Sequence, residues 1–203
     1  MTRETFKEST IKKYNLAPAH TVMIGQYLDL LLQFNRTINL TGVDNAERGW
    51  EELIAPALGF CQHTMHATGI ADIGSGNGIP GVIISIMNNS VPVSLIECRK
   101  NRIAFLREVK YQLGLSYEII HQRAEEITYR SFSHIVGFRV ADLPTFLTIA
   151  HPIINDDGMV VQMVPDFSPK DQRTIIDKTG RFWYYTLSDD NFIECSIVPR
   201  ETY

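Results

Sequence analysis

Three glycines and a distant carboxylate are the residues of this 203-residue chain best placed to do chemistry. In Ile70-Ala71-Asp72-Ile73-Gly74-Ser75-Gly76-Asn77-Gly78-Ile79-Pro80-Gly81, a short apolar run meets a glycine-rich turn and then a helix-forming stretch. Glycine tolerates positive φ and lets the backbone approach a ligand, while a helix start presents free N–H groups. The spacing is G-x-G-x-G. Ile79 stands where a dinucleotide fingerprint needs its third glycine, and the Gly-Lys-Ser/Thr of a phosphate loop is missing. Such a turn suits a nucleoside carrying little or no phosphate. Glu97 closes the next apolar run, Val93-Ser94-Leu95-Ile96, about twenty residues further on, where a carboxylate in an open α/β sheet accepts hydrogen bonds from both ribose hydroxyls. Asp72 is expected either to orient the turn or to meet the ligand's amino group. Arg123-Ala124-Glu125 follows the third apolar run, where an adenine edge would lie. Either feature alone reads equally well as a plain strand–helix turn or a solvated strand end; the two together, in this order, favour a nucleoside site.

A parallel sheet is needed to hold these groups at one edge. The apolar runs Ile70–Ile73, Val93–Ile96, Tyr117–His121, His134–Phe138 and Met159–Val164 predict strands, with helical patterns over Val82–Met87 and Ile103–Leu113 between them. Ser168-Pro169-Lys170-Asp171 predicts a helix start and Gly180 its stop. Phe182–Leu187, a turn at Ser188–Asn191 and Phe192–Val198 predict a closing antiparallel hairpin. Upstream, Pro18 suits a first helical turn, Ile24, Tyr27, Leu28, Leu31 and Phe34 share one helical face, and Asn35–Asn39 should end that helix. Asp44, with Glu47 three residues on, is expected to cap the next helix, and Pro56 to kink or stop it. The expected architecture is α/β: a mostly parallel Rossmann-like sheet with a carboxyl-terminal antiparallel hairpin. Residues 1–62 are expected to form a helical cap and residues 63–203 the nucleoside-binding domain.

Composition agrees with a single globular unit. Hydrophobic residues make up 44% and charged residues 21%, and the formal net charge of −4 excludes an overall basic nucleic-acid binder while permitting a local basic face. Residues 97–112 supply such a face: Arg99, Lys100, Arg102, Arg107 and Lys110 stand against two carboxylates, Glu97 and Glu108. It reads equally well as an RNA-facing helix or as an ordinary solvated one. Cys61, Cys98 and Cys195 form an odd set without a CxxC pair, which argues against disulfides or zinc and for a reducing compartment. His63 and His66 near Cys61 lack a second ligand pair, so no metal is expected. Cys98 reads as a plain semi-buried thiol, and Trp183, Tyr184 and Tyr185 as core or interface residues. No signal-peptide pattern and no membrane-length apolar run is found, so a cytoplasmic protein without membrane attachment is expected.

Asp72–Gly81 resembles the S-adenosylmethionine loop of class I methyltransferases. Upstream, Phe34-Asn35-Arg36-Thr37-Ile38-Asn39-Leu40-Thr41 resembles the Trp-Asn-Lys-x-x-Asn-Leu-Thr block of the ribosomal RNA small subunit methyltransferase G family, also called glucose-inhibited division protein B. Lys100–Arg107 is similar to its Lys-Arg-x-x-Phe-Leu run, and Gln122–Glu126 to its adenine-side Arg-Ala-Glu. That family methylates N7 of a guanine in small-subunit (16S) ribosomal RNA. The resemblance implies S-adenosyl-L-methionine as cofactor, held by Asp72, Gly74, Ser75, Gly76, Gly78, Ile79, Ala124 and Glu125 with Glu97 on the ribose. It implies Asn39, Thr41 and Arg102 on the substrate side. Arg139, in Val136-Gly137-Phe138-Arg139-Val140-Ala141, stands near the arginine of the family's Ser-Arg-Ala and is a candidate for both cofactor contact and positioning; no catalytic residue is otherwise assigned. The implied partner is small-subunit ribosomal RNA or the assembling subunit, bound by a monomer.

Two segments depart from the family pattern. Glu51-Glu52-Leu53-Ile54-Ala55-Pro56 replaces Arg-His-Ile-Leu-Asp-Ser, and Val164-Pro165 replaces a Lys-Gly at the end of the fifth strand. Both fall where RNA would be held, and a carboxylate beside phosphate is repulsive. Asp142-Leu143-Pro144-Thr145 is not the Asn/Asp-Pro-Pro-aromatic motif of exocyclic-amine methylation. Two alternatives therefore stand beside ribosomal RNA methylation: the same scaffold methylating a small molecule or protein, or a non-catalytic ribosome-assembly factor.

Overall fold

A computed structural model describes residues 5–163 in full, together with the backbone of 174–176, 182–187 and 192–197 and the side chains of Glu194 and Cys195. Helix α1 (Phe6–Lys13) opens on a capping box in which Thr5 and Glu8 satisfy each other's backbone N–H. Helix α2 (Pro18–Asn35) carries Pro18 in its first turn and buries Ile24, Tyr27, Leu28 and Leu31, the face expected. It stops at Asn35 for a specific reason. The Asn35 amide oxygen accepts from the N–H groups of Leu40 (2.9 Å) and Thr41 (3.0 Å), and its nitrogen donates to the carbonyls of Thr41 (2.9 Å) and Val43 (3.2 Å). One side chain thus folds the following segment into a compact loop.

The next helix differs in two details from expectation. Helix α3 (Ala46–Gly49) is capped by Asn45, whose side chain accepts from Arg48 N–H at 3.0 Å, not by Asp44. Asn45 is the residue in extended conformation before the first turn, and Asp44 pairs instead with the Arg48 guanidinium at 3.3 Å. Pro56 does not end the helix. A π turn at Trp50–Ile54 leads directly into α4 (Ala55–His63), which places Pro56 in a first turn, where its missing N–H costs little.

The sheet runs β1 (Ile70–Ile73), β2 (Val93–Ile96), β3 (Glu118–Ile120), β4 (Phe132–Gly137), β5 (Ile154–Met163), β6 (Thr174–Ile176), β7 (Phe182–Leu187) and β8 (Phe192–Ile197). Its spatial order is β3-β2-β1-β4-β5-β8-β7-β6. The first five strands are parallel, and β8, β7 and β6 add antiparallel pairings. β7 and β8 are the expected hairpin strands; the turn at Ser188–Asn191 lies outside the described residues. The helix expected from Ser168 is overturned in its middle. Thr174–Ile176 is a strand paired with Phe182–Tyr184, because a β-branched Thr-Ile-Ile run fits a pleated edge better than a helical turn. The rest of that segment lies outside the described residues.

Helices α5 (Gly81–Met87) and α6 (Lys100–Leu113) connect the parallel strands on one face, and α7 (Leu143–Ala150) covers the other. A single apolar core joins Leu28, Trp50 and Leu58 of the amino-terminal helices to Val136 and Val161 of the sheet. Chain order reverses between β1 and β4, so a crevice opens above the carboxyl ends of those strands.

Candidate functional site

β1 delivers the glycine turn to this crevice. Gly74, Gly76 and Gly78 adopt φ of +66°, +57° and +93°, conformations that L side chains disfavour. The turn is pinned from below. The Ser75 hydroxyl donates to Asp72 O (2.8 Å) and its N–H to Ile96 O (3.1 Å). Asp72 Oδ2 accepts from Gly81 N–H at 3.0 Å, the start of α5. A Cβ at Gly81 would meet Leu95 and the Asp72 carboxylate, so glycine is what lets helix and strand approach. Of its two expected roles, Asp72 occupies the turn-orienting one. It is fully buried, its Oδ1 has no hydrogen-bond partner among the described residues, and burial pushes its carboxyl up to about 7 despite the bonds from Gly81 and Ser75. From the other side the buried Tyr27 hydroxyl donates to Asn77 O at 2.8 Å, tying α2 to the turn.

Glu97 closes the site from β2. Only 4% exposed, its carboxylate accepts from Gly76 N–H (Oε2, 3.0 Å) and Arg99 N–H (Oε1, 2.8 Å), with Arg102 Nη1 3.5 Å from Oε2. Gly74, Glu97, Ala124 and Glu125 line one hollow of about 160 Å³, shared with Cys98 and Val140. Cys98 is exposed rather than semi-buried, because it directly follows the strand end at the crevice mouth. Ile79 does not face this hollow; its side chain joins the apolar core. A Cβ at Gly78 would meet Val82 and Leu106, a close approach to the helix layer. Arg139 is exposed at φ +57°, its guanidinium 4.9 Å from the Phe138 ring centre, and stands outside the hollow's lining. Its neighbour Val140 is the residue that reaches the site, with Cγ1 3.2 Å from where a Gly74 Cβ would be.

A second hollow, of about 420 Å³, has in its wall Arg102, the residue whose Nη1 lies 3.5 Å from Glu97 of the first. The Thr37–Leu40 loop forms one wall, and Arg99, Lys100, Asn101 and Arg102 form the other. It brings Asn39 and Arg102 together, with three cations and no carboxylate in its lining. Thr41 lies beneath, its hydroxyl accepting from Val43 N–H at 3.2 Å. Glu52 pairs with Arg48 (2.9 Å), and Glu51 lies against α1 in a separate hollow. Val164 and Pro165 lie outside the described residues. His63 Nδ1 sits 2.7 Å from Glu194 Oε1, and no group of three His, Cys, Asp or Glu among the described residues has metal-binding geometry.

An open parallel sheet, a strand–glycine turn–helix at its switch point and a buried carboxylate on the neighbouring strand define a class I S-adenosylmethionine-dependent methyltransferase. The model for the rRNA small subunit methyltransferase G (GidB) family matches residues 21–177, and the chain belongs to that family. The ribosomal RNA small subunit methyltransferase G of Wolinella succinogenes is 38% identical over 130 residues, covering 64% of this chain and 67% of that protein. That of Chromobacterium violaceum is 29% identical over 143 residues, 70% of this chain and 68% of that protein. In fold, the chain is similar to a putative caffeoyl-CoA O-methyltransferase from Staphylococcus aureus, with TM-score 0.58, 15% identity and coverage of 94% and 98% of the two chains. The methyl donor is S-adenosyl-L-methionine. The site fits it: the buried Glu97 carboxylate can receive a ribose diol, and the positive-φ glycines leave room for a backbone-to-ligand approach.

Proposed function

We propose that the protein methylates N7 of a guanine in 16S ribosomal RNA, acting as a monomer in the cytoplasm. One observation carries the reading: the hollow lined by Arg99, Lys100 and Arg102 opens directly beside the Gly76–Glu97 site, as a phosphate-bearing acceptor requires. The bound cofactor supplies an electrophilic methyl group on a sulfonium. Glu97 orients it through the ribose, Ala124 and Glu125 flank the adenine, and Gly74 with Val140 bounds the hollow. Asp72 and Ser75 keep the turn in shape. Guanine N7 already presents an in-plane lone pair, so the reaction needs no general base. Rate enhancement then comes from in-line positioning and from stabilising the charge that moves onto the purine. Asn39 and Arg102 are the substrate-side contacts, with Arg139 at the crevice rim available to the same RNA.

Methylation of a small apolar molecule fits the geometry less well. The apolar groove lined by Leu58, Ile84, Met87 and Val91 lies at the amino ends of β1 and β2, the far end of the sheet from the glycine turn. An assembly factor without catalysis has no need of a buried Glu97 bonded to Gly76. The test incubates the protein with methyl-labelled S-adenosylmethionine and an extract from cells lacking it, separated into small subunits, free RNA, protein and small molecules. Label in the RNA of small subunits is expected; label only in protein or small molecules would contradict the proposal.

A further inference from the structure

Arg102 stands between the two hollows, and its position gives it a function that neither hollow has alone. From the first turn of α6 its side chain, 29% exposed, lines the basic hollow opposite Thr37–Leu40. Its Nη1 also reaches back to 3.5 Å from Glu97 Oε2 and lies 3.3 Å from where a Gly76 Cβ would be. Among the described residues, Glu97 is its ion-pair partner.

The carboxylate's acceptor capacity is nearly committed. Each oxygen offers about two lone-pair directions; Arg99 N–H uses one on Oε1 and Gly76 N–H one on Oε2. A ribose diol, with one hydroxyl to each oxygen, takes the remaining direction on both. Arg102 Nη1 lies 3.5 Å from that same Oε2, too long for a good hydrogen bond and short enough for attraction. Diol and guanidinium therefore compete for one acceptor. When the diol wins, the guanidinium is released toward Arg99 and Lys100, where a third cation is unfavourable until an anion arrives.

We infer that Arg102 couples the two sites: cofactor binding frees its guanidinium for an RNA phosphate in the Thr37–Leu40/Arg99–Asn101 hollow, so each ligand raises the affinity for the other. This rests on the proposed assignment of Glu97 to the ribose. Arg102 is a positioning residue in this scheme, and the coupling must be reciprocal. The released cation has somewhere to go only when phosphate is present, so the cofactor alone binds against the cost of breaking the Glu97–Arg102 contact.

The experiment measures S-adenosylhomocysteine affinity by calorimetry with and without 16S ribosomal RNA from cells lacking the protein, and RNA affinity with and without S-adenosylhomocysteine. For the wild type, both ratios should agree and be fivefold or more. In Arg102→Gln, where that contact is gone, the cofactor should bind RNA-free protein about as tightly as it binds the wild type in the presence of RNA, while both ratios fall to about one. Arg102→Lys, which keeps a charge but lacks the planar fork, should restore part of the coupling, an outcome that loss of packing alone would not give. Wild-type ratios near one, or wild-type ratios retained in Arg102→Gln, would overturn the inference while leaving the methyltransferase reading intact. Absence of S-adenosylhomocysteine binding by the wild type would overturn both.

Discussion

Asp72 shows how a site residue can be structural and still set a measurable property of the protein. Its carboxyl titrates near 7 when folded, because burial outweighs the bonds from Gly81 and Ser75. A group whose folded pKa is raised contributes stability below its unfolded value, near 4, and loses it as pH rises through the folded value. Stability attributable to Asp72 should therefore fall between pH 4 and 7 and level off above, by a few kcal/mol on the order of magnitude given by linkage. Asp72→Asn keeps an acceptor for Gly81 N–H and cannot ionise. Urea midpoints at pH 5 and pH 8 should shift in the variant's favour by the difference; parallel pH profiles for variant and wild type would contradict the role. Gly76 gives a second test at this scale. With φ +57° and Arg102 3.3 Å from where a Cβ would stand, Gly76→Val strains the turn and fills the approach to Glu97. S-adenosylhomocysteine affinity should drop at least tenfold by calorimetry. The glycines, Glu97 and Ala124–Glu125 were legible in the sequence because their chemistry depends on local order along two neighbouring strands. Val140 and Tyr27 were not. Val140 reaches the hollow only because β4 lies beside β1, and the Tyr27 hydroxyl was hidden within an apolar stripe.

At the scale of elements, two latches hold the amino-terminal helices to the site. Tyr27 fixes α2 to the glycine turn, and Asn35 folds the loop that forms one wall of the basic hollow. Tyr27→Phe removes one buried hydrogen bond, a loss of about 1 kcal/mol, and should weaken S-adenosylhomocysteine binding severalfold as the turn loosens. Asn35→Ala leaves four backbone groups to find water. The cost should be about 2 kcal/mol, seen as a melting point lowered by roughly 5 °C, with RNA affinity falling more than cofactor affinity. Equal loss of both affinities would mean that the loop does not belong to the RNA side. The parallel half of the sheet was readable from alternating apolar runs and helical periods. β6 was not, because Ser168–Asp171 carries a good helix-start pattern while Thr174–Ile176 is decided by pairing with β7. The continuation of the helix through Pro56 was equally unreadable, since the π turn that accommodates the proline has no simple periodicity.

Across the whole molecule, the amino-terminal helices and the sheet share one apolar core, in which Leu28, Trp50 and Leu58 meet Val136 and Val161. We propose that residues 1–62 are a cap that completes the methyltransferase domain instead of folding alone. A fragment beginning at His63 should expose the face of Ile83, Val136 and Val161 and bind a hydrophobic dye strongly; a soluble, cooperatively melting fragment would contradict this. The cap also supplies the Thr37–Leu40 wall, so the part of the chain that finishes the core also finishes the basic hollow proposed for RNA. The acidic departures do not spoil that hollow: Glu52 is paired with Arg48, and Glu51 lies against α1 in a different hollow. The measurement that tests the central claim most directly is the position of the transferred methyl group. Small subunits from cells lacking the protein are incubated with it and S-adenosylmethionine, and the 16S ribosomal RNA is then reduced with borohydride and cleaved with aniline, which cuts at N7-methylguanine. One new cleavage site at a guanine, absent with Glu97→Ala, is the expected result. Methyl transfer to the RNA without such cleavage, or no transfer to small subunits at all, would contradict the account.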